Sequence, residues 1–167
     1  MSNVFVMVGI PGSGKSTWIK NHIKETDVVI SRDAIRFNLL KEGEDYFSHE
    51  KEVYKKFIET INENIAKNKT IFIDATHLNP SSRKKLIRSI DKVHLLGAIF
   101  IDTPLEICLE RNSHREGRAH VPEQSIIDMH KSLVKPSLDE EYDEIYIDQE
   151  GKIKNVIRKD KMKYKEL

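Results

Sequence analysis

The sequence predicts an α/β protein in three layers, a parallel sheet of five strands covered by helices on both faces. Two observations carry that expectation. Short apolar runs rich in branched side chains alternate with longer stretches of helical period, the pattern of buried strands joined by crossover helices. Pro80, Pro104 and Pro122 stand at the heads of helical stretches, where a missing N–H would have had no intrahelical partner.

Along the chain, residues 4–8 form the first strand-like run and residues 15–25 the first helical one. A strand at 28–30 and a helix at 33–40 follow, then a longer helix at 49–67 and a strand at 70–74. Residues 81–90, 104–112 and 122–134 read as helices, and residues 95–102 and 144–148 as the last two strands of the five. The basic tail, residues 151–167, reads as a strand or hairpin followed by a frayed end. There is no internal repeat, low-complexity tract or Gly/Ser linker.

The 167 residues, 38% apolar and 33% charged, suit one globular domain with one sizeable core. A net charge of +1 requires neither a nucleic-acid nor a membrane partner, so any such site must be a local patch. The single cysteine, Cys108, lies among apolar residues and reads as a buried, inert thiol in a reducing cytoplasm. No apolar run reaches the roughly 18 residues of a spanning helix, and Met1 leads almost at once into a strand, so secretion is not expected. The histidines show no metal-ligand spacing, and no structural zinc is expected.

Gly9-Ile10-Pro11-Gly12-Ser13-Gly14-Lys15-Ser16 satisfies the P-loop pattern G-x-x-x-x-G-K-[ST], and the preceding run supplies the strand that such a loop must leave. Gly12, Ser13 and Gly14 let successive N–H groups point at the phosphates of ATP, while the next helix presents its positive N-terminus. Lys15 would neutralise the transferring charge. Ser16 offers a hydroxyl to Mg²⁺, and Thr17 is expected to start the helix.

A P-loop alone does not separate kinases from switches and motors, so the acceptor side decides. Asp33 follows the second strand, at the end where open α/β sheets keep their ligand crevice, and is the candidate general base for an attacking hydroxyl. Arg36 lies on the same helical face, suited to an acceptor phosphate. The competing reading makes Asp33 a helix cap and Arg36 a solvated neighbour. Arg32 and Thr76 join Arg36 as candidate substrate contacts. Asp74, ending the third strand, is the candidate magnesium-side carboxylate or a loop anchor, and His77 suits a structural hydrogen bond better than a substrate contact. Arg111 and Arg115, spaced i and i+4, open a cationic helical lid over residues 112–121, where arginines would stabilise charge on the γ-phosphoryl oxygens. Arg118 is a weaker candidate for the same role. The basic run Ser82-Arg83-Lys84-Lys85 and the tail could track a nucleic-acid backbone, although solvated faces explain such runs as well.

These residues resemble the kinase module of the polynucleotide 5′-kinase family of phage and bacterial end-healing enzymes. The likeness lies in Gly-x-Pro-Gly-Ser-Gly-Lys-Ser-Thr-Trp over residues 9–18, Arg-Asp-x-x-Arg over 32–36, Leu-Asn-Pro over 78–80 and Arg-Asn-Ser-x-Arg over 111–115. Val121, Pro122, Met129 and Ser132 extend it. The resemblance implies that Lys15 and Ser16 bind ATP and Mg²⁺, that Asp33 is the general base, that Arg36 holds the acceptor's 3′-phosphate and that Arg115 stabilises the transition state. It also implies a strand order of 2-3-1-4-5 and a 5′-hydroxyl DNA or RNA end as partner. His77 departs from the family, which often has Asn there, and residues 41–52 are not family-like. With no phosphatase or ligase portion, the expectation is a free-standing kinase. The alternatives are a kinase for a small or tethered hydroxyl (a nucleoside, a sugar, seryl-tRNA) and a non-kinase NTPase switch.

Overall fold

The computed structural model describes residues 2–159. Six strands form one sheet: β1 (Asn3–Val8), β2 (Val28–Ser31), β3 (Ile71–Asp74), β4 (Leu95–Ile101), β5 (Glu144–Gln149) and β6 (Lys152–Arg158). Their order is β2-β3-β1-β4-β5-β6. The first five strands are parallel and follow the expected order, with registers such as Val4 beside both Ile71 and Leu96. A sheet of five strands is corrected to six, because the tail folds back antiparallel on β5 through the turn at Glu150 and Gly151, both at positive φ. Strand β6 bears out the strand expected in the tail, while residues 160–167, including most of its basic run, lie outside the described residues.

Six α-helices connect the strands: α1 (Lys15–His22), α2 (Arg32–Leu39), α3 (Glu50–Ala66), α4 (Pro80–Ser89), α5 (Leu105–Ser113) and α6 (Glu123–Ser132). The helix after the P-loop begins at Lys15, ahead of Thr17, because Gly14 at φ 102 is its N-cap and Trp18 N–H already bonds to Gly14 O. Ser31 caps α2 by accepting from Ala34 N–H, and Asn79 caps α4 from Ser82 N–H with Pro80 in the first turn. Pro104 and Pro122 are the N-caps of α5 and α6.

Alternation along β1 sorts the core by face. Val4 and Val6 pack with Phe57, Ile61 and Ile65 of α3 and Leu86 of α4, whereas Met7 packs with Trp18 and Ile19 of α1 on the opposite face. Ile10, Cys108 and Ile126 form a third cluster between the P-loop, α5 and α6, with Cys108 buried as expected. No helix among the described residues is long and apolar enough to cross a membrane.

The lid is corrected in form. Residues 112–121 contain one 3-10 turn, Gly117–Ala119, with Gly117 at φ 59, and no helix spans the segment. Its ends are tied by Asn112, whose side chain donates to Val121 O at 2.7 Å and accepts from Val121 N–H at 2.9 Å. The basic run in α4 is corrected in part too. Arg83 is fully buried rather than solvated, donating to both carboxylate oxygens of Glu140 at 2.6 and 3.1 Å and to His77 O at 2.8 Å.

Candidate active site

The C-terminal ends of β1, β2, β3 and β4 carry the P-loop, Asp33, Asp74 and Thr103, so one edge of the sheet gathers the candidate chemistry. The loop closes as a P-loop should. Gly12 and Gly14 stand at φ 82 and 102, and a Cβ on Gly12 would lie 2.7 Å from Cys108 O, so α5 seats directly against the loop backbone. Gly9 N–H donates to Thr76 O at 3.2 Å, which ties the loop to the end of β3; this backbone bond is the contact Thr76 makes with the loop.

The cations around the loop are held by its own carbonyls. Lys15 Nζ donates to Gly9 O at 2.8 Å and Ile10 O at 3.2 Å. Arg111 Nη1 donates to Gly12 O at 3.1 Å and Ser13 O at 3.3 Å, and Thr103 donates to Ser13 O at 2.7 Å. Burial pushes the Lys15 ammonium down to about 8; Asp74 works against that shift, and the Arg115 charge adds to it. Arg115 itself lies just beyond α5, exposed. The Ser13 hydroxyl is buried without a hydrogen-bond partner, an orphan oxygen inside the cradle.

Ser16 Oγ donates to Asp74 Oδ2 at 2.8 Å, so the two candidate magnesium residues are brought together across 58 positions of sequence. Both donors are hard oxygens, and an ion that keeps several waters needs one or two such protein ligands, so the pair fits Mg²⁺. Thr17 sits exposed in the first turn of α1. His77 is buried with Nδ1 3.0 Å from Met7 O, and burial lowers its pKa to about 4; it is a neutral structural residue behind the loop, as the sequence favoured.

On the acceptor side, Asp33 and Arg36 do share a face, and they bond to each other. The guanidinium of Arg36 is buried, donating from Nε and Nη2 to Glu50 at 2.7 and 3.1 Å and from Nη1 to Asp33 and Tyr46. Four of the five guanidinium N–H groups are thereby used. Arg32 also donates to Glu50, at 3.2 Å. Tyr46 donates its hydroxyl to Asp33 Oδ1 at 2.5 Å. The solvated-neighbour reading of Arg36 is therefore excluded, and Ser31 rather than Asp33 caps the helix.

Tyr46 and Glu50 are the site residues that sequence reading missed. Both fall in residues 41–52, the stretch without family likeness, and Glu50 looks like an ordinary acidic residue in the first turn of α3. The available signal was Tyr46-Phe47, two large aromatic residues in an otherwise polar loop.

Solved structures share this fold. A chain in the Pnkp1/Rnl/Hen1 RNA repair complex superposes with a TM-score of 0.70 at 21% identity, covering 79% of this chain and 44% of that one. A sugar kinase from Janibacter sp. HTCC2649 gives 0.59 at 20% identity over 89% and 86% of the two chains, and a gluconokinase from Sinorhizobium meliloti 1021 gives 0.52 at 21% over 80% and 76%. This chain spans less than half the length of the RNA-repair chain it matches. At such identities the likeness establishes the fold alone, that of a P-loop kinase-type domain. The sequence profile of the family described as AAA domain matches residues 4–136, and the chain belongs to that family.

Proposed function

We propose that this protein transfers the γ-phosphoryl group of ATP to the 5′-hydroxyl of a polynucleotide end or a 3′-phosphorylated nucleotide. One observation carries the reading: the carboxylate of Asp33, at the nucleotide edge of the sheet, already accepts a hydrogen bond from a hydroxyl group, that of Tyr46. A base in that position takes the proton of an attacking alcohol as the P–O bond to ADP breaks and the bond to the acceptor oxygen forms. The fold likeness to a chain of an RNA repair complex supports a nucleic-acid acceptor.

In this reading the N–H groups of Gly12 and Gly14, the Ser13 N–H on leaving Ile10 O, and the ammonium of Lys15 hold the β- and γ-phosphates, with Lys15 exchanging loop carbonyls for phosphate oxygens. Thr17, exposed in the first turn of α1, is a further candidate nucleotide contact. Ser16 and Asp74 would hold Mg²⁺, which would supply positive charge to the triphosphate. Arg111, already on the loop, and Arg115, beyond it, stabilise the equatorial oxygens. Arg36 orients Asp33 first and offers its remaining Nη2 N–H to an acceptor phosphate, while Arg32 shares Glu50. Thr76 fixes the loop through its carbonyl, which accepts from Gly9 N–H, and is a candidate acceptor contact.

A second reading rests on Glu50. Its carboxylate and that of Asp33 together balance the charges of Arg36 and Arg32, so the acceptor side offers carboxylates and hydroxyl-binding groups rather than a free cation, which suits a neutral polyol or nucleoside. The fold likeness to a sugar kinase and a gluconokinase leans the same way. Transfer of labelled γ-phosphate from ATP with Mg²⁺ to 5′-hydroxyl oligonucleotides, nucleoside 3′-monophosphates, nucleosides and sugars separates the two. Label on the oligonucleotides and 3′-monophosphates is the expected result. Label confined to nucleosides or sugars overturns the first reading in favour of the second.

A further inference from the structure

Next to Asp33 lies an aromatic cluster that the transfer chemistry does not use. Tyr46 meets Phe37 edge-on at 6.1 Å between centroids and Phe47 at 4.7 Å. Phe47 is 69% exposed and Tyr46 41%, an unusual solvent exposure for two adjacent large rings. The segment that presents them is braced from within: Lys41 N–H donates to Glu44 at 2.7 Å, His49 bonds Glu44 at 2.6 Å, and Ser48 N–H donates to Asp45 O at 3.0 Å.

Two guanidinium groups stack on the same rings. Arg36 lies 4.2 Å from the Tyr46 centroid and 6.0 Å from that of Phe47, and Arg118, in the lid, lies 5.4 Å from that of Phe37. The cluster therefore joins α2, the 40–49 segment and the lid. Exposed ring surface beside cations suits a flat aromatic group attached to an anion better than an apolar peptide.

We propose that Phe37, Tyr46, Phe47 and Arg118 form a slot that stacks the nucleobase of the acceptor's terminal nucleotide. The slot rests on the polynucleotide reading above and deepens it. Tyr46 Oη on Asp33 puts the first ring beside the reacting hydroxyl, so the base of the residue carrying that hydroxyl is the group within reach. Stacking of this kind tolerates every base, because each has a π-face. Tyr46 gives up its bond to Asp33 when the acceptor hydroxyl takes its place, and its ring remains as a wall of the slot.

The test compares KM for an oligonucleotide with an intact 5′-terminal nucleotide and for one whose 5′-terminal residue is abasic. Loss of stacking is worth about 1–3 kcal/mol per base, so the wild-type KM should rise roughly 5- to 150-fold on the abasic end. Phe47→Ala should raise KM on the intact end toward that of the abasic end and leave the abasic KM in place, and Phe47→Trp should restore discrimination. Phe47 is exposed, so a thermal melt close to wild type accompanies the variant. Equal wild-type KM for both ends overturns the slot and leaves the polynucleotide reading standing. Labelling of neither end, with labelling of sugars, overturns both.

Discussion

The phosphate side and the acceptor side of this crevice are built on opposite plans. Around the P-loop the cations Lys15 and Arg111 rest on backbone carbonyls, neutral partners that a phosphate can replace. Around Asp33 the cations Arg36 and Arg32 rest on Glu50, a carboxylate that an incoming anion would have to displace. The cations of one side have only neutral partners; those of the other are balanced by the carboxylates of Glu50 and Asp33, with a single Arg36 N–H left over. A basic residue near a reaction centre need not be an anion site, because its partner decides what it can still bind.

The phosphate side depends most on Lys15. Lys15→Ala should lower transfer by about 10³- to 10⁵-fold and weaken ATP binding, measured by single-turnover labelling and calorimetry. Because burial sets the Lys15 pKa near 8, the free protein loses this charge as pH rises through that value. ATP affinity should then fall by up to tenfold per pH unit, and Lys15→Arg should flatten the fall. The unfolded chain keeps the proton up to its ordinary value of 10.5, so the fold itself gains stability between pH 8 and 10.5.

Asp33→Ala should be next in size. It should cut transfer by about 10²- to 10⁴-fold without changing the ATP dissociation constant, a split that separates the two sides. Transfer at the wild-type rate would remove Asp33 as the base.

His77 tests the support behind the loop. The buried ring stays neutral down to about pH 4 while the unfolded chain protonates near 6.5, so stability falls as pH drops across that window, by about 3 kcal/mol at pH 4. His77→Asn suits the positive φ of 47, and it should remove this acid limb from denaturant melts.

Glu50→Gln is the mildest change. It leaves Arg36 buried without a full counter-charge and should cost roughly 2 kcal/mol of stability, less than a fully buried pair because Glu50 is partly exposed. It should also raise the affinity of the acceptor side for a 3′-phosphate, read as a lower KM for nucleoside 3′-monophosphates. An unchanged KM for those acceptors would show that Arg36 serves Asp33 alone.

Most of the phosphate side was legible in the chain because it is local. Gly9 to Ser16 is one short stretch whose glycines, lysine and serine are arranged by the loop backbone itself. The five parallel strands and the proline-headed helices were legible for the same reason, since period and capping act within a few residues. The form of the lid was not. Gly117 interrupts residues 112–121, Pro122 starts the next helix just beyond them, and a pair of side-chain bonds from Asn112 holds that loop closed.

By itself the sequence determined the class of fold, the nucleotide cradle and the presence of a carboxylate at the end of β2. Only the tertiary structure decided what that carboxylate and its neighbouring arginines touch. Glu50 reaches Arg36 across 14 positions, and Glu140 buries Arg83 across 57, pairings that no periodicity encodes. The antiparallel seat of β6 is of the same kind, decided by the open edge of β5 that it covers. Local geometry follows from backbone and side-chain shape within a turn or two. A charged side chain's partner is whichever group the packed core brings within about 3 Å of it.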